Sequence, residues 1–460
     1  MKIFISLLNT VLRSFFLRSL LLIIPAFLIQ GFAPLSAQTS LNGLYQNYNA
    51  FQSTQDNELI AGRNRLRLQL NSSISPGNLF AEIDFIQRYN EDTPIEIQLR
   101  ELYADLYFDK SDLRIGVQKI IWGRAAGGFI ADILTPVDLR EFLTQDPDDL
   151  RFGLTALNYT RYFGANSLQI IVSPLFQPDL LPPSDSRWFP VQDIPSPLPI
   201  RFQEEKFENN FSDIQMAIRY GYRSSPGFDL DLYLMNWSHP MPAYAIDINF
   251  LDLPDLASVN LTETYNQSLM AGFSSAIRLG SNFTLNIESL YVSRRVFTFL
   301  PVSTELLENS LTDIQSAIQL LQEFEFRDDG YLIKKPWLNS MAGFQTDLFG
   351  FTINAQAYLE AIIDYEERML PERYFPYVSI LLNRPFLRER LQTVILTRYN
   401  INAKDFWTQV QGIYEFDDGV EIALGANLFG GRETSPFYGH FTFNQFKKNS
   451  FIFSKVAIYF

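Results

Sequence analysis

Cysteine is absent from the 460 residues, and histidine is nearly so, represented by His239 and His440 alone. The first absence excludes disulfides, thiolate metal sites, a cysteine nucleophile and a lipidated N-terminal cysteine. The second leaves little material for histidine metal sites or acid-base chemistry. Neither histidine sits in a triad-like motif, and no glycine-rich phosphate cradle occurs, so neither an enzyme nor a bound cofactor is expected. Beyond residue 37 no apolar run approaches the ~20 residues a helical membrane span needs. Positive charge is also short, with 37 Lys and Arg against 51 Asp and Glu, a net of −14. An acidic balance of that size argues against nucleic acid as a partner.

What is present points to secretion and to strands. Residues 1–37 read as a signal peptide: Lys2, Arg13 and Arg18 supply positive charge, SLLLIIPAFLIQGF an apolar core, and Ala37 a small residue before the cut. Its removal takes the net charge from −14 to −17 and leaves 38–460 as one expected domain. Aromatics make up 15%, with 41 Phe and 22 Tyr, while mean hydropathy stays near zero. That combination suits a chain apolar on alternate residues, with aromatic girdles at two interfaces. Tight turns, as at Ile74–Gly77, Leu279–Ser281 and Leu348–Gly350, alternate with long connections near 123–150, 176–210, 239–264, 296–335, 364–375 and 430–450.

Between these breaks strands are expected at 41–51, 60–73, 78–89, 95–108, 112–122, 151–162, 167–175, 211–223, 228–238, 265–279, 282–295, 336–347, 351–364, 376–385, 390–400, 406–415, 420–429 and 451–460. The fold class is therefore all-β, a transmembrane antiparallel barrel of about 18 strands, with 16 as the alternative count. A secreted chain without helical spans crosses lipid only as a closed barrel, because an open edge would leave backbone groups unpaired. The last strands carry the clearest alternation. Val420, Ile422, Leu424, Ala426 and Leu428 face one way and Glu421, Ala423, Gly425 and Asn427 the other. The final strand turns Ile452, Val456, Ile458 and Phe460 out and Lys455 in. Within the pair 376–400 a short helix through Val378 to Leu382 competes with the strand reading.

The polar rows define the candidate lumen. Registering 60–73 against 78–89 places Arg67 opposite Asp84 and Gln69 opposite Glu82. Carried onward, the register sets Asp84 opposite Arg100 and Arg88 opposite Glu96. With Arg63, Arg65, Arg114 and Gln118 on the same face, this wall is locally basic, suited to steering solutes or to bracing the barrel. A face switch after Arg100, where Glu101, Tyr103 and Asp105 take the inward row, predicts a β-bulge. The connection 123–149 is long and irregular, as functional loops are. Folded inward, Trp122, Arg124, Asp132, Asp138 and Arg140 would set a constriction. Asp146, Asp148 and Asp149 match no calcium-loop spacing, so no metal is assigned. Residues 303–326 read as a helix with Leu307, Leu311, Ile314, Ile318 and Leu321 on one stripe.

The segment 99–142, LRELYADLYFDKSDLRIGVQKIIWGRAAGGFIADILTPVDLREF, resembles the signature region of a porin-like family of Gram-negative outer-membrane proteins of unassigned function. The likeness rests on Gly116, Gln118, Trp122, Gly123, Asp132, Leu134, Pro136 and Asp138. It implies a barrel in the bacterial outer membrane and a channel, and names no solute. The expected function is passive diffusion of small hydrophilic solutes through a pore filtered by loop 123–149. The alternative is a non-conducting barrel serving as surface receptor, adhesin or scaffold. Expected partners are outer-membrane lipid and lipopolysaccharide, a small solute, and the barrel assembly machinery, which would read the strand ending at Phe460. Oligomeric state is left open.

Overall fold

A computed structural model describes residues 39–53, 58–89, 94–190, 199–204, 213–224, 227–250, 257–416, 419–435 and 438–460; the expected signal peptide, 1–37, lies outside them. No helix among the described residues is long and apolar enough to cross a membrane. The chain forms strands instead: β1 (Thr39–Gln52), β2 (Leu59–Ile74), β3 (Gly77–Arg88), β4 (Glu96–Phe108), β5 (Ser111–Gln118), β6 (Leu154–Phe163), β7 (Asn166–Ser173), β8 (Ile200–Gln203), β9 (Gln215–Ser224), β10 (Phe228–Ser238), β11 (Ala243–Phe250), β12 (Ala257–Thr264), β13 (Gln267–Arg278) and β14 (Phe283–Thr298). Two short helices follow, α1 (Thr304–Ser310) and α2 (Ile314–Glu323). The chain ends in β15 (Leu332–Leu348), β16 (Phe351–Ile362), β17 (Tyr374–Phe386), β18 (Leu391–Asn400), β19 (Asp405–Glu415), β20 (Val420–Gly431) and β21 (Phe451–Tyr459).

Eighteen of these strands form one sheet, each antiparallel to its neighbours, and β1 pairs with β21 so that no edge remains. Closure satisfies every strand's backbone without water, the condition lipid imposes. Gly43 and Phe460 lock the seam: the Gly43 N–H donates to the Phe460 carbonyl at 2.7 Å and the Phe460 N–H to that of Gly43 at 3.0 Å. A Cβ on Gly43 would stand 2.2 Å from the Phe460 ring, so the last aromatic covers a glycine that has no side chain of its own to pack. All eighteen expected strands correspond to these staves, and the span Val378 to Leu382 is strand, inside β17.

The alternation behaves as the sequence implied. In β20 and β21, Leu424 is 63% exposed and Ile452 54%, whereas Ala423 and Asn427 are fully buried and Lys455 nearly so. The exposed row is the one that meets hydrocarbon.

Three expectations need correction. First, the ladder between β3 and β4 shifts at Glu82/Ile83, which pair with Glu101 and Leu99. Arg100 is the extra, bulged residue, so Asp84 lies opposite Gln98 rather than Arg100, and Glu96 opposite Ile86 rather than Arg88. The change of face after Arg100 marks this bulge, and a register carried past it unshifted is out of step on the far side. Second, the connections 176–210 and 239–264 are not irregular throughout: β11 pairs antiparallel with β12, and β12 runs parallel to β8. Third, the helical segment is broken between α1 and α2, so the expected stripe does not survive. Ile314 and Ile318 are exposed, and Ala317 and Leu320 form the buried face.

Candidate functional site

β5 ends at Gln118, four residues earlier than its alternation suggested, and Lys119–Gly153 connects it to β6. Gln118 is fully buried, donates to the Ala156 carbonyl at 2.9 Å and accepts from Asn158 at 3.0 Å, so the strand is anchored where the connection leaves it. Thr135 then staples the connection to itself: its hydroxyl accepts from the Ile120 N–H and donates to the Ile120 carbonyl, both at 2.8 Å. Trp122 is buried, stacks on Tyr233 of β10 at 5.1 Å between centroids, and donates its indole N–H to Gln169 of β7 at 3.1 Å.

From Gly123 the chain touches side chains of strands distant in the sequence. Glu288 of β14 accepts from the backbone of Arg124 at 2.6 Å and of Ala131 at 2.8 Å. Ala126 donates to Gln356 and Gly127 to the Tyr358 hydroxyl, both 2.8 Å away on β16. Glycine is needed on this path: Gly123 has φ +92°, and a Cβ on Gly127 would lie 2.3 Å from the Ser379 hydroxyl. The Arg124 guanidinium stands 3.5 Å from both Asp229 and Asp231 of β10.

The second half of the connection meets the basic wall. Glu141 pairs with both Arg63 of β2 and Arg88 of β3. Asp149 pairs with Arg65 and, at 2.7 Å, with Arg67. Arg100 donates to the main-chain carbonyls of Asp149, at 2.8 Å, and of Arg151. Beneath them Asp84 has no exposed surface and is 2.7, 3.6 and 3.9 Å from Arg67, Arg65 and Arg100. Asp146 reaches Lys455 of β21 at 3.1 Å, so two of the clustered carboxylates have cationic partners within the protein.

Each residue singled out in the sequence therefore has a defined place. Arg65, Arg67, Asp84 and Arg100 share one ion-pair network with Asp149 under the connection, and Arg63 belongs to a neighbouring one with Glu141 and Arg88; Arg63, Arg65 and Arg100 are nearly solvent-free. Arg114 lies apart, paired with Asp105 at 2.7 Å. Asp132 accepts from the Trp122 N–H at 3.2 Å and pairs with Arg151. Arg140 joins Asp138 at 2.7 Å and Glu96 at 3.2 Å. Arg63, Arg88, Glu96, Arg140, Glu141 and Arg187 line a cavity of about 740 Å³ beside β2 and β3. Glu288, Gln356 and Tyr358 were missed. Their polar character on inward rows is readable, but nothing in the sequence says that a segment some 160 to 230 residues earlier reaches them.

The connection's carboxyls are tuned in opposite directions. Burial alone would raise Glu141, but the guanidiniums of Arg63 and Arg88 overcome it and hold the carboxyl at about 2. Asp149 is likewise held well below the carboxylate range, against its burial, by Arg65 and Arg67. Burial prevails at Asp132, pushed up to about 6 despite Arg151, and at Asp179, pushed up to about 7 although it accepts from the Val137 N–H.

Among solved structures the chain is similar to OccK1 (OpdK) of Pseudomonas aeruginosa, at 11% identity and a TM-score of 0.50, covering 92% of this chain and 98% of that one. The likeness is one of fold, a closed barrel like that of the outer membrane protein OpdK. OccK3 (OpdO) of the same organism gives 9% and 0.52, over 92% of this chain and 95% of that one. OccAB2 of Acinetobacter baumannii gives 9% and 0.52, over 92% and 98%. No protein-family model and no curated protein matches the sequence.

Proposed function

We propose that the protein is an outer-membrane channel for small hydrophilic solutes, with Lys119–Gly153 folded into the lumen as its filter. The observation that carries this reading is the reach of that connection: it bonds to inward rows of β2, β3 and β4 and also to β10, β14 and β16. A segment that touches walls on several sides of a closed ring lies within the ring. Its charges then face solutes at close quarters, where rings of paired guanidiniums and carboxylates set selectivity. Arg63, Arg65, Arg67, Asp84 and Arg100 brace it on the basic side, and Trp122, Arg124, Asp132, Asp138 and Arg140 fix its course. Within the run that resembles the porin-like family's signature, Gln118, Trp122 and Asp132 hold the segment at its start. Phe460 is read as the residue presented to the assembly machinery, and lipid with lipopolysaccharide as the barrel's surroundings.

A second reading, a barrel closed at rest that acts as a surface receptor, is favoured by one observation. Trp188, Phe443 and Phe446 from external connections pack with Trp407, Phe429 and Phe451 of the wall. Reversal potentials in planar bilayers under a KCl gradient separate the two. The channel reading expects stepwise currents, and expects Glu141→Gln with Asp149→Asn to shift selectivity toward anions by uncovering Arg63, Arg65 and Arg67. Silent bilayers from correctly folded protein would favour the receptor.

A further inference from the structure

A second cavity, of about 350 Å³, lies away from the ion-pair network, between the β8–β11–β12 sheet, α1, α2, the ends of β14–β16 and the connection after β16. Phe202, Tyr244, Ile246, Phe297, Leu311 and Leu320 give it an apolar lining. Volumes of this order and linings of this kind hold small organic molecules.

Two charges open into it. Pro336 lacks an N–H, and the ladder between β14 and β15 shifts across it: Val292 pairs with Trp337 and Arg295 with Lys335. The bulge brings Arg295 round so that its guanidinium lies 4.3 Å from the centre of the Trp337 ring, facing the cavity. Trp337 is itself held from another side by the His239 ring, edge-on at 5.4 Å. One stave further on, Glu360 of β16 lines the same cavity and is the anion whose field reaches Arg295. Among the described residues neither the Arg295 nor the Glu360 side chain has an ion-pair or hydrogen-bond partner; the guanidinium meets only the rings of Trp337 and Phe297. The other carboxylate in the lining, Glu372, already accepts from Asn402 at 2.7 Å and Tyr438 at 2.9 Å. Opposite charges left apart in an apolar chamber are costly unless something bridges them.

We propose that this chamber binds a small zwitterion with an apolar body, a hydrophobic α-amino acid or short apolar peptide, its carboxylate on Arg295 and its ammonium on Glu360. An anion alone would leave Glu360 facing like charge, and a polar zwitterion would leave the apolar lining wet. Binding here is separate from conduction and does not depend on it.

The test is calorimetric titration of the purified full chain in detergent with L-phenylalanine, its N-acetyl derivative, its amide, and glycine. Phenylalanine gives saturable heat, and the other three bind about tenfold or more weakly, each tenfold being one step of ~1.4 kcal/mol. Arg295→Gln abolishes the discrimination between phenylalanine and its amide, and Glu360→Gln that between phenylalanine and its N-acetyl derivative. A merely structural role for either residue would not exchange the two preferences in this way. Wild-type protein that gives no saturable heat, or that binds all four probes alike, overturns the proposal. So do folded variants, checked by heat-modifiable migration, that keep the wild-type preferences. KCl conductance of both variants stays at the wild-type value; a change there bears on the filter and not on this chamber.

Discussion

Asp84 illustrates how the lumen is held. It is an anion without exposed surface, hydrogen-bonded twice by Arg67 and within ion-pair range of Arg65 and Arg100. Replacing it with alanine removes the anion that three guanidiniums share and leaves them only Asp149 and Glu82, a change that costs up to roughly 3–5 kcal/mol. Asp84→Ala should therefore lower the temperature at which the folded band is lost in heat-modifiability gels, and Arg327→Ala, at a pair with Asp329 that is exposed on both sides, should barely move it. The carboxyls of the connection predict a pH dependence with two signs. Glu141 has a depressed pKa, so its contribution is present above the ordinary glutamate range and is lost as pH falls toward about 2. Asp132 and Asp179 are raised, so their protonated forms favour the fold and that contribution is lost as pH rises through about 6 and about 7. Amides around Val137 should thus exchange more slowly at pH 5 than at pH 8 after correction for intrinsic rates. Asp179→Asn should remove most of that difference; equal protection in the native protein at both pH values would contradict the assignment.

At the scale of elements, strands were the most legible feature, because a bilayer outside and a polar lumen inside write a two-residue period that no turn disturbs. The bulge at Arg100 was legible too, as a change of face, although its effect on register appeared only in the pairing. The β8–β12 pair was not: its parallel partners sit near residues 200 and 260, and no short-range signal joins them. The helix stripe failed for a local reason. Leu311 caps α1, and Asp313, capping α2 through its bond to the Ser316 N–H, resets the phase. Leu320 and Ala317 consequently take the inside and Ile314 and Ile318 the outside. The facing of β20 gives a direct check. Leu424→Arg places a charge in hydrocarbon at a cost of ~2–4 kcal/mol and should impair folding into vesicles. Gln411→Arg, on the inward row of β19 opposite Gly425, should be tolerated. Ala423 is unsuitable as that control because its side chain is fully buried.

For the molecule as a whole, closure and strand number followed from the sequence, and the particular strand residues that the β5–β6 connection touches did not. Its contacts link residues separated by up to about 230 positions, such as Ala126 and Gln356, and only the closed ring brings these together. An apolar cluster built on Trp122, Ile130 and Leu134 packs against β6, β7, β9, β10 and β13–β17 on one side, and the ion pairs fix the other. The segment is thereby pinned at both margins, as the proposed filter role requires. Glu288 supplies the most isolated of these pins, and Glu288→Gln, which keeps the shape and weakens the acceptor, should raise open-state current noise in single-channel records without loss of the folded band. The most direct measurement is single-channel conductance of the native protein beside a variant in which residues 124–148 are replaced by a short glycine–serine link. A lumen filtered by this segment predicts a severalfold larger conductance and loss of charge selectivity in the variant; equal conductance and selectivity in the two proteins would contradict it.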